Sequence, residues 1–293
     1  MFDLLSSGVF QRALLGGTVA SVMAGVVGYF LVLRAQAFAA ESFMDICFAG
    51  ATGASLLGQS PLVGMIVFSL LSALSLGSLG ERARGRSVEI GMVLSFALGL
   101  GVLFLSVYTR SSASHSNAGV AILFGSILSV QPADISRMLA CGSAALLALA
   151  AVYRPLLFAS VDSTAARARG VPVRALSIIF LLVLALAAAA CTFVLGVLLA
   201  SALLIAPAAA AIRLASRPAR ALLLSAGIGL LVTWVGLLVS FVGPWHHPPV
   251  GFSISALAGL VYGAAVIRGR RSRPRRIQPA DLDREVREGR GSR

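Results

Sequence analysis

The sequence predicts an all-α, polytopic membrane protein with about nine transmembrane helices. Three observations carry that reading. Of the 293 residues, 58% are hydrophobic and 12% are charged, where a soluble domain holds about 45–50% apolar and about 25% charged residues. Mean hydropathy is +0.93. Apolar runs near spanning length recur along the chain, and the arginines fall between and beyond them. This composition excludes an ordinary soluble enzyme, a disordered chain and a collagen-like fibre.

The runs lie at 13–33, 43–59, 61–80, 88–109, 135–153, 175–193, 197–213, 221–242 and 252–267. A full span takes about 20 apolar residues. The shorter ones, 43–59, 197–213 and 252–267, are tolerable where they pack on protein or line a cavity. Residues 117–130 are apolar but too few to cross, and read as a re-entrant or interfacial piece. The first run exceeds the about 7–15 residues of a signal-peptide core, and Arg34 interrupts it before the small residues Ala35 and Ala37. It reads as a retained span. The organisation expected is a transmembrane domain over 1–267 and a basic cytoplasmic tail over 268–293.

Charge placement sets orientation. The 24 Lys+Arg are all arginine, against 11 Asp+Glu, for a net charge of +13. With no lysine the chain lacks the phosphate-binding residue of a P-loop ATPase. Arginine between apolar runs points to anionic lipid headgroups and not to nucleic acid. The groups Arg82/Arg84/Arg86, Arg154/Arg167/Arg169/Arg174 and Arg213/Arg217/Arg220, and the tail from Arg268 onward, share one side with Arg34 if about nine spans alternate. By the positive-inside rule that side is the cytoplasm. The N-terminus is then outside and the C-terminus inside a cell membrane.

Three segments carry chemistry. In 161–172, the oxygens of Asp162 or Ser163 can accept the free N–H groups of a first helical turn. Gly170 suits a left-handed stop and Pro172 cannot continue a helix. The result is a short capped helix containing Arg167 and Arg169, which reads either as an interfacial connector or as a docking surface for a soluble partner. In 196–211 (GVLLASALLIAPAAAA) Pro207 removes one helix hydrogen bond and is expected to kink the span, while the alanines permit close helix approach. In Glu41-Ser42-Phe43-Met44-Asp45 the two carboxylates, four apart, share a helix face. A charge inside a span costs about 2.5–3.5 kcal/mol, so Asp45 should face a cavity, a partner or a cation. Paired carboxylates make a hard oxygen site for a divalent ion; the alternative is two interfacial carboxylates, with Glu41 neutralised by Arg34.

Elsewhere the residues read more plainly. Cys47, Cys141 and Cys191 are small apolar side chains. Glu89 pairs with Arg86 on a helix surface. His115, His246 and His247 sit in outer loops, and a zinc site needs more ligands than the adjacent pair supplies. No arrangement of nucleophile, base and acid suggests catalysis, so the chain is not expected to be an enzyme.

These segments, in this order, resemble the permease subunits of metal-type (manganese/zinc/iron) ABC transporters over about 14–267. The residues that carry the likeness are Leu123-Phe124-Gly125-Ser126-Ile127-Leu128-Ser129-Val130, the run through Pro207, which resembles G-x-L-L-x-x-x-L-L-x-x-P-A-A-x-A, Ala168-Arg169-Gly170-Val171, and Pro249-Val250-Gly251. The resemblance implies a homodimer, two cytosolic ATP-binding subunits that hydrolyse ATP in place of this chain, and an extracytoplasmic solute-binding protein. It implies that Asp162, Ser163, Arg167, Arg169 and Gly170 belong to the ATPase docking element, and that a divalent metal is substrate and not a resident cofactor. It further implies that the second span contacts the metal through D-x-x-x-H, at the positions of Glu41 and Asp45. Replacing the imidazole leaves only oxygen donors, which suit manganese better than zinc. The rival readings are a permease for a metal chelate or cobalamin, a proton-driven secondary transporter using the same carboxylates, and a non-transporting scaffold.

Overall fold

In the computed structural model, residues 8–79, 87–111, 122–123, 125, 132–215, 217–242 and 250–272 are described. Eleven helices account for nearly all of them. In chain order they are α1 (Gly8–Leu33), α2 (Ala37–Leu56), α3 (Pro61–Leu79), α4 (Ser87–Ser111), α5 (Pro132–Ala151), α6 (Tyr153–Val161), α7 (Ser163–Ala168), α8 (Val173–Leu195), α9 (Val197–Leu214), α10 (Pro218–Val242) and α11 (Val250–Ser272).

Every run read from the sequence falls on a helix, but the count of about nine spans is not confirmed. Six helices among the described residues are long and apolar enough to cross a membrane: α1, α3, α8, α9, α10 and α11. The pair α5 and α6 makes a seventh if its two arms, bent by 66°, form one span. Pro155 in the first turn of α6 explains that bend: it has no N–H for the carbonyl four residues back, and its ring clashes there. The second run begins at Ala37, earlier than the expected 43, so Glu41 and Asp45 lie well inside α2. The last helix continues to Ser272, past the expected domain boundary at 267.

The core forms where α1 and α8 pack antiparallel. Gly16 faces Val194, the Cys191 thiol donates to the Ala20 carbonyl at 3.7 Å, and Arg34 reaches Ser177. Around them stand α2, α5, α9 and α10, with α3 against α8 and α2, and α11 against α9 and α10. α10 is tied to α1 by the Ser225 hydroxyl donating to the Gly25 carbonyl (2.7 Å) and Trp234 Nε1 donating to Thr18 Oγ1 (2.9 Å). An edge-on pair of Phe10 and Phe241 closes the far end. Small residues make these approaches possible, because lipid offers no hydrophobic drive for helix association and contact has to come from close packing. Gly28 shows the limit: a Cβ there would collide with the carbonyl of Leu204 on α9.

α1 ends in a hydrogen-bonded reversal. The Gln36 N–H donates to the Leu31 carbonyl and the Ala35 N–H to that of Val32, both at 3.0 Å. This is the two-bond helix stop that calls for a left-handed residue. Ala35 fills that place with φ of 53°, at a cost of about 1–2 kcal/mol for an L side chain. Ala35→Gly is expected to stabilise the detergent-solubilised protein by about 1 kcal/mol, the strain relieved less the extra freedom of glycine in the unfolded chain. A thermal unfolding scan checks this, and a midpoint unchanged or lowered would contradict it.

Candidate functional site

Three arginines with visible partners lie at one end of the bundle. Arg34 closes α1 there, Arg174 opens α8 and reaches the Ser78 carbonyl of α3 at 3.3 Å, and Arg213 closes α9 with its guanidinium 5.7 Å from the Tyr262 ring of α11. The segment 161–172 lies at this same end, between α6 and α8.

That segment folds as its local chemistry dictates. Asp162, in extended conformation, is the cap: its Oδ1 accepts from the N–H groups of Thr164 and Ala165, both at 2.9 Å. Ser163 is the first residue of α7 and is not the cap. The helix stops at Gly170, whose φ of 76° is the left-handed conformation the sequence called for. There the Gly170 N–H donates to the Arg167 carbonyl and the Val171 N–H to that of Ala166, both at 3.0 Å. Ala166 is fully buried beneath the helix. The Arg169 guanidinium lies 5.5 Å from the Phe158 ring, folding the end of α7 back on α6. Asp162, Thr164, Arg167, Arg169 and Gly170 stay exposed. The element is thus braced from below and open above.

Glu41 and Asp45 lie near the start of α2, at the same end of the bundle. With 1.5 Å of rise per residue, Asp45 stands about 12 Å along the helix from Ala37. Both are half-buried and share one side of α2 with the exposed Phe38, while Phe43, Met44, Cys47 and Phe48 between and beyond them are enclosed. Among the described residues no group of three or more His, Cys, Asp or Glu comes together. The two carboxylates therefore act as a pair and not as part of a larger cage.

Pro207 is buried inside α9, which runs on to Leu214. A groove of about 360 Å³ runs along the same stretch of this helix, lined by Ser201, Ala202, Ile205, Ala206, Ala209 and Tyr262. Of the stretch 123–130, Leu123 packs on the core, and Gly125 (φ 82°) lies against the backbone of Leu195 and Gly196. Arg82, Arg84, Arg86, His115, His246, His247 and the chain past Ser272 fall outside the described residues, as does the side chain of Glu89.

Arg34 makes contacts that sequence reasoning did not anticipate: besides standing near Glu41 in sequence, it extends its guanidinium to α6 and α8. Nη2 donates to Ser177 Oγ at 2.6 Å, Nη1 lies 3.5 Å from Ser160 Oγ, and the group stands 5.3 Å from the centre of the Phe180 ring. The available signal was a lone arginine ending a run that is otherwise apolar and small.

Comparison with known proteins agrees with this arrangement. A family model described as the ABC 3 transport family matches residues 6–268. The chain belongs to that family. It is a multi-pass membrane protein of the metal-type ABC permease group, a transport permease. Among its relatives is the manganese transport system membrane protein MntC of Halalkalibacterium halodurans, 29% identical over 266 residues, covering 90% of this chain and 89% of the relative. Another is the manganese import system permease protein ScaB of Streptococcus parasanguinis, 31% identical over 232 residues, covering 79% and 81%. Among solved structures, PsaBC from Streptococcus pneumoniae in complex with Fab matches with a TM-score of 0.78 at 27% identity, over 97% of each chain.

The cap is open to direct test. Asp162→Ala removes two acceptor contacts and is expected to cost about 1 kcal/mol of local stability. Hydrogen exchange should quicken at the Thr164 and Ala165 amides while the α8 amides stay protected. Unchanged exchange at those two amides would show that Asp162 does not hold the helix.

Proposed function

We propose that this chain is the membrane permease of an ABC importer for a divalent metal ion, with manganese the ion that best fits its donors. The observation that carries the reading is the carboxylate pair on α2 in a chain that matches the ABC 3 transport family almost end to end. Relatives are named for manganese transport, and Glu41 and Asp45 offer hard oxygen donors of the kind that suit manganese better than zinc. Two carboxylates leave most positions of an octahedral ion to water, so the ion is held loosely enough to move on. Its charge offsets the repulsion between the two groups, and it explains why charges are retained in an otherwise apolar helix.

The remaining parts follow the same reading. Two copies of the chain pair, so that the half-open side of α2 bearing Phe38, Glu41 and Asp45 lines a path. Cytosolic ATP-binding subunits seat on α7, where exposed Asp162, Arg167, Arg169 and Gly170, with half-buried Ser163 between them, form the rim of a braced helix. An extracytoplasmic solute-binding protein delivers the ion to the opposite end. The arginine-rich end faces the cytoplasm and anionic lipid, with the C-terminal tail inside and the N-terminus outside. ATP is bound and hydrolysed on the partner chain, and closing of that partner moves α7, rocks the helices joined to it and passes the ion from one side to the other. Pro207 supports that motion by leaving one backbone bond of α9 unmade.

The complex reconstituted in vesicles with its ATPase and solute-binding protein tests this. Asp45→Ala is expected to lower ATP-driven manganese uptake by at least about tenfold, as the loss of a metal-contacting group does, and Glu41→Gln should lower it in the same direction. Uptake unchanged in Asp45→Ala would remove the pair from the path. Uptake driven by a proton gradient without the ATPase would replace the importer reading with a secondary transporter.

A further inference from the structure

The corner between α1 and α2 joins two parts of the molecule that the proposed function requires to move together. On one side stands the docking element. Ser160 precedes the cap Asp162 by two residues, and Ser177 lies in the second turn of α8, just after the element ends. The Arg34 guanidinium reaches both, with a 2.6 Å bond to Ser177 and a 3.5 Å approach to Ser160, and stacks over Phe180. It thereby grips the chain entering the docking helix and the chain leaving it. On the other side stands α2. Only Ala35 and Gln36 separate Arg34 from its first residue, a reach of at most about 11 Å, and the Gln36 carbonyl accepts the N–H groups of Ala39 and Ala40. Glu41 and Asp45 follow within three turns.

The corner is stiff and under tension. Its reversal is hydrogen-bonded, so movement of Arg34 is passed to α2 and is not absorbed in a slack loop. Ala35 holds a left-handed φ of 53° that favours glycine. The Gln36 side-chain oxygen Oε1 is buried without a hydrogen-bond partner. A buried acceptor left without a donor is rare in a settled structure, so the corner carries an unmet polar group as well as an unfavourable φ. Strain of both kinds collects at switch regions.

We propose that Arg34 is the coupling residue of this permease: its guanidinium link to Ser177 and Ser160 carries displacement of the docking element into the α1–α2 corner and so to the carboxylates. The inference rests on the importer reading above and adds to it the route by which the motor reaches the cargo site. Arg34 is a positioning residue, since it acts through α2 and touches no cargo. An arginine suits the task because its planar fork engages two acceptors at fixed angles while its face packs on an aromatic ring, which a lysine ammonium does not reproduce.

The test measures ATP hydrolysis and manganese uptake in the same vesicles, for wild type, Arg34→Met, Arg34→Lys and Ser177→Ala. Arg34→Met is expected to raise the ATP hydrolysed per ion taken up by about tenfold, toward the upper end for residues on a coupling route. Arg34→Lys should fall between it and wild type. Ser177→Ala leaves the arginine in place and should raise the ratio by a smaller factor, so the proposal stays testable if Arg34→Met does not assemble. A ratio equal to that of wild type overturns the proposal, whether hydrolysis and uptake fall together, as for a purely structural anchor, or both persist. Failure of the wild-type complex to take up manganese with ATP would instead overturn the importer reading.

Discussion

A chain that lives in lipid can keep a charge only where something answers it, and that constraint organises this molecule. The charged side chains that bear on function cluster at one end of the bundle. Each of three arginines there has an identifiable partner from another helix: Arg34 with Ser177, Arg174 with the Ser78 carbonyl, Arg213 over Tyr262. The rest of the bundle is largely alanine, leucine and glycine packed at close range, with several of its hydroxyls satisfied by backbone, as Ser225 is by Gly25. Against that background two half-buried carboxylates on α2 stand out. In a fold so economical with charge, their retention calls for a counter-charge that comes and goes.

The same end also holds α7, a six-residue helix with an exposed upper side. α7 is too short to be stable by itself, since a helix of that length gains too few bonds to offset its nucleation. It persists because Asp162 caps it, Gly170 and Val171 close it, and Ala166 is buried under it. What results is a rigid rim with an exposed upper surface, the property a soluble motor needs in order to push. On the importer reading proposed above, the α1–α2 corner joins this rim to the carboxylates, so force need not travel the length of the membrane.

Local chemistry was legible in the sequence and long-range contact was not. Asp162, Gly170 and Pro172 lie within a dozen residues, so cap, stop and exit could be read together. The four-residue spacing of Glu41 and Asp45 placed them on one side of a helix before any fold was known. The start of α2 was misplaced because no glycine or proline marks the corner: the left-handed position is held by Ala35, and an apolar run counted from Phe43 leaves out the helix's polar first turns. The break between α5 and α6 had its signal in Pro155, which the apolar run concealed. Arg34 was beyond reach for a different reason, since its partners lie 126 and 143 residues away and nothing in the pattern links a serine near a cap to an arginine at the first turn. The span count depends on how a bent pair and a helix carrying two acids are divided, which apolar runs alone do not settle.

The account stands on the carboxylate pair as the place where the ion rests. The most direct measurement is binding itself: titration of the purified full-length permease with manganese, following loss of the free-ion electron paramagnetic resonance signal, for the wild type and for the double variant Glu41→Gln/Asp45→Asn. The account predicts that the wild-type chain removes free manganese from solution and that the variant, equally well folded, does not. Equal binding by both proteins would contradict it.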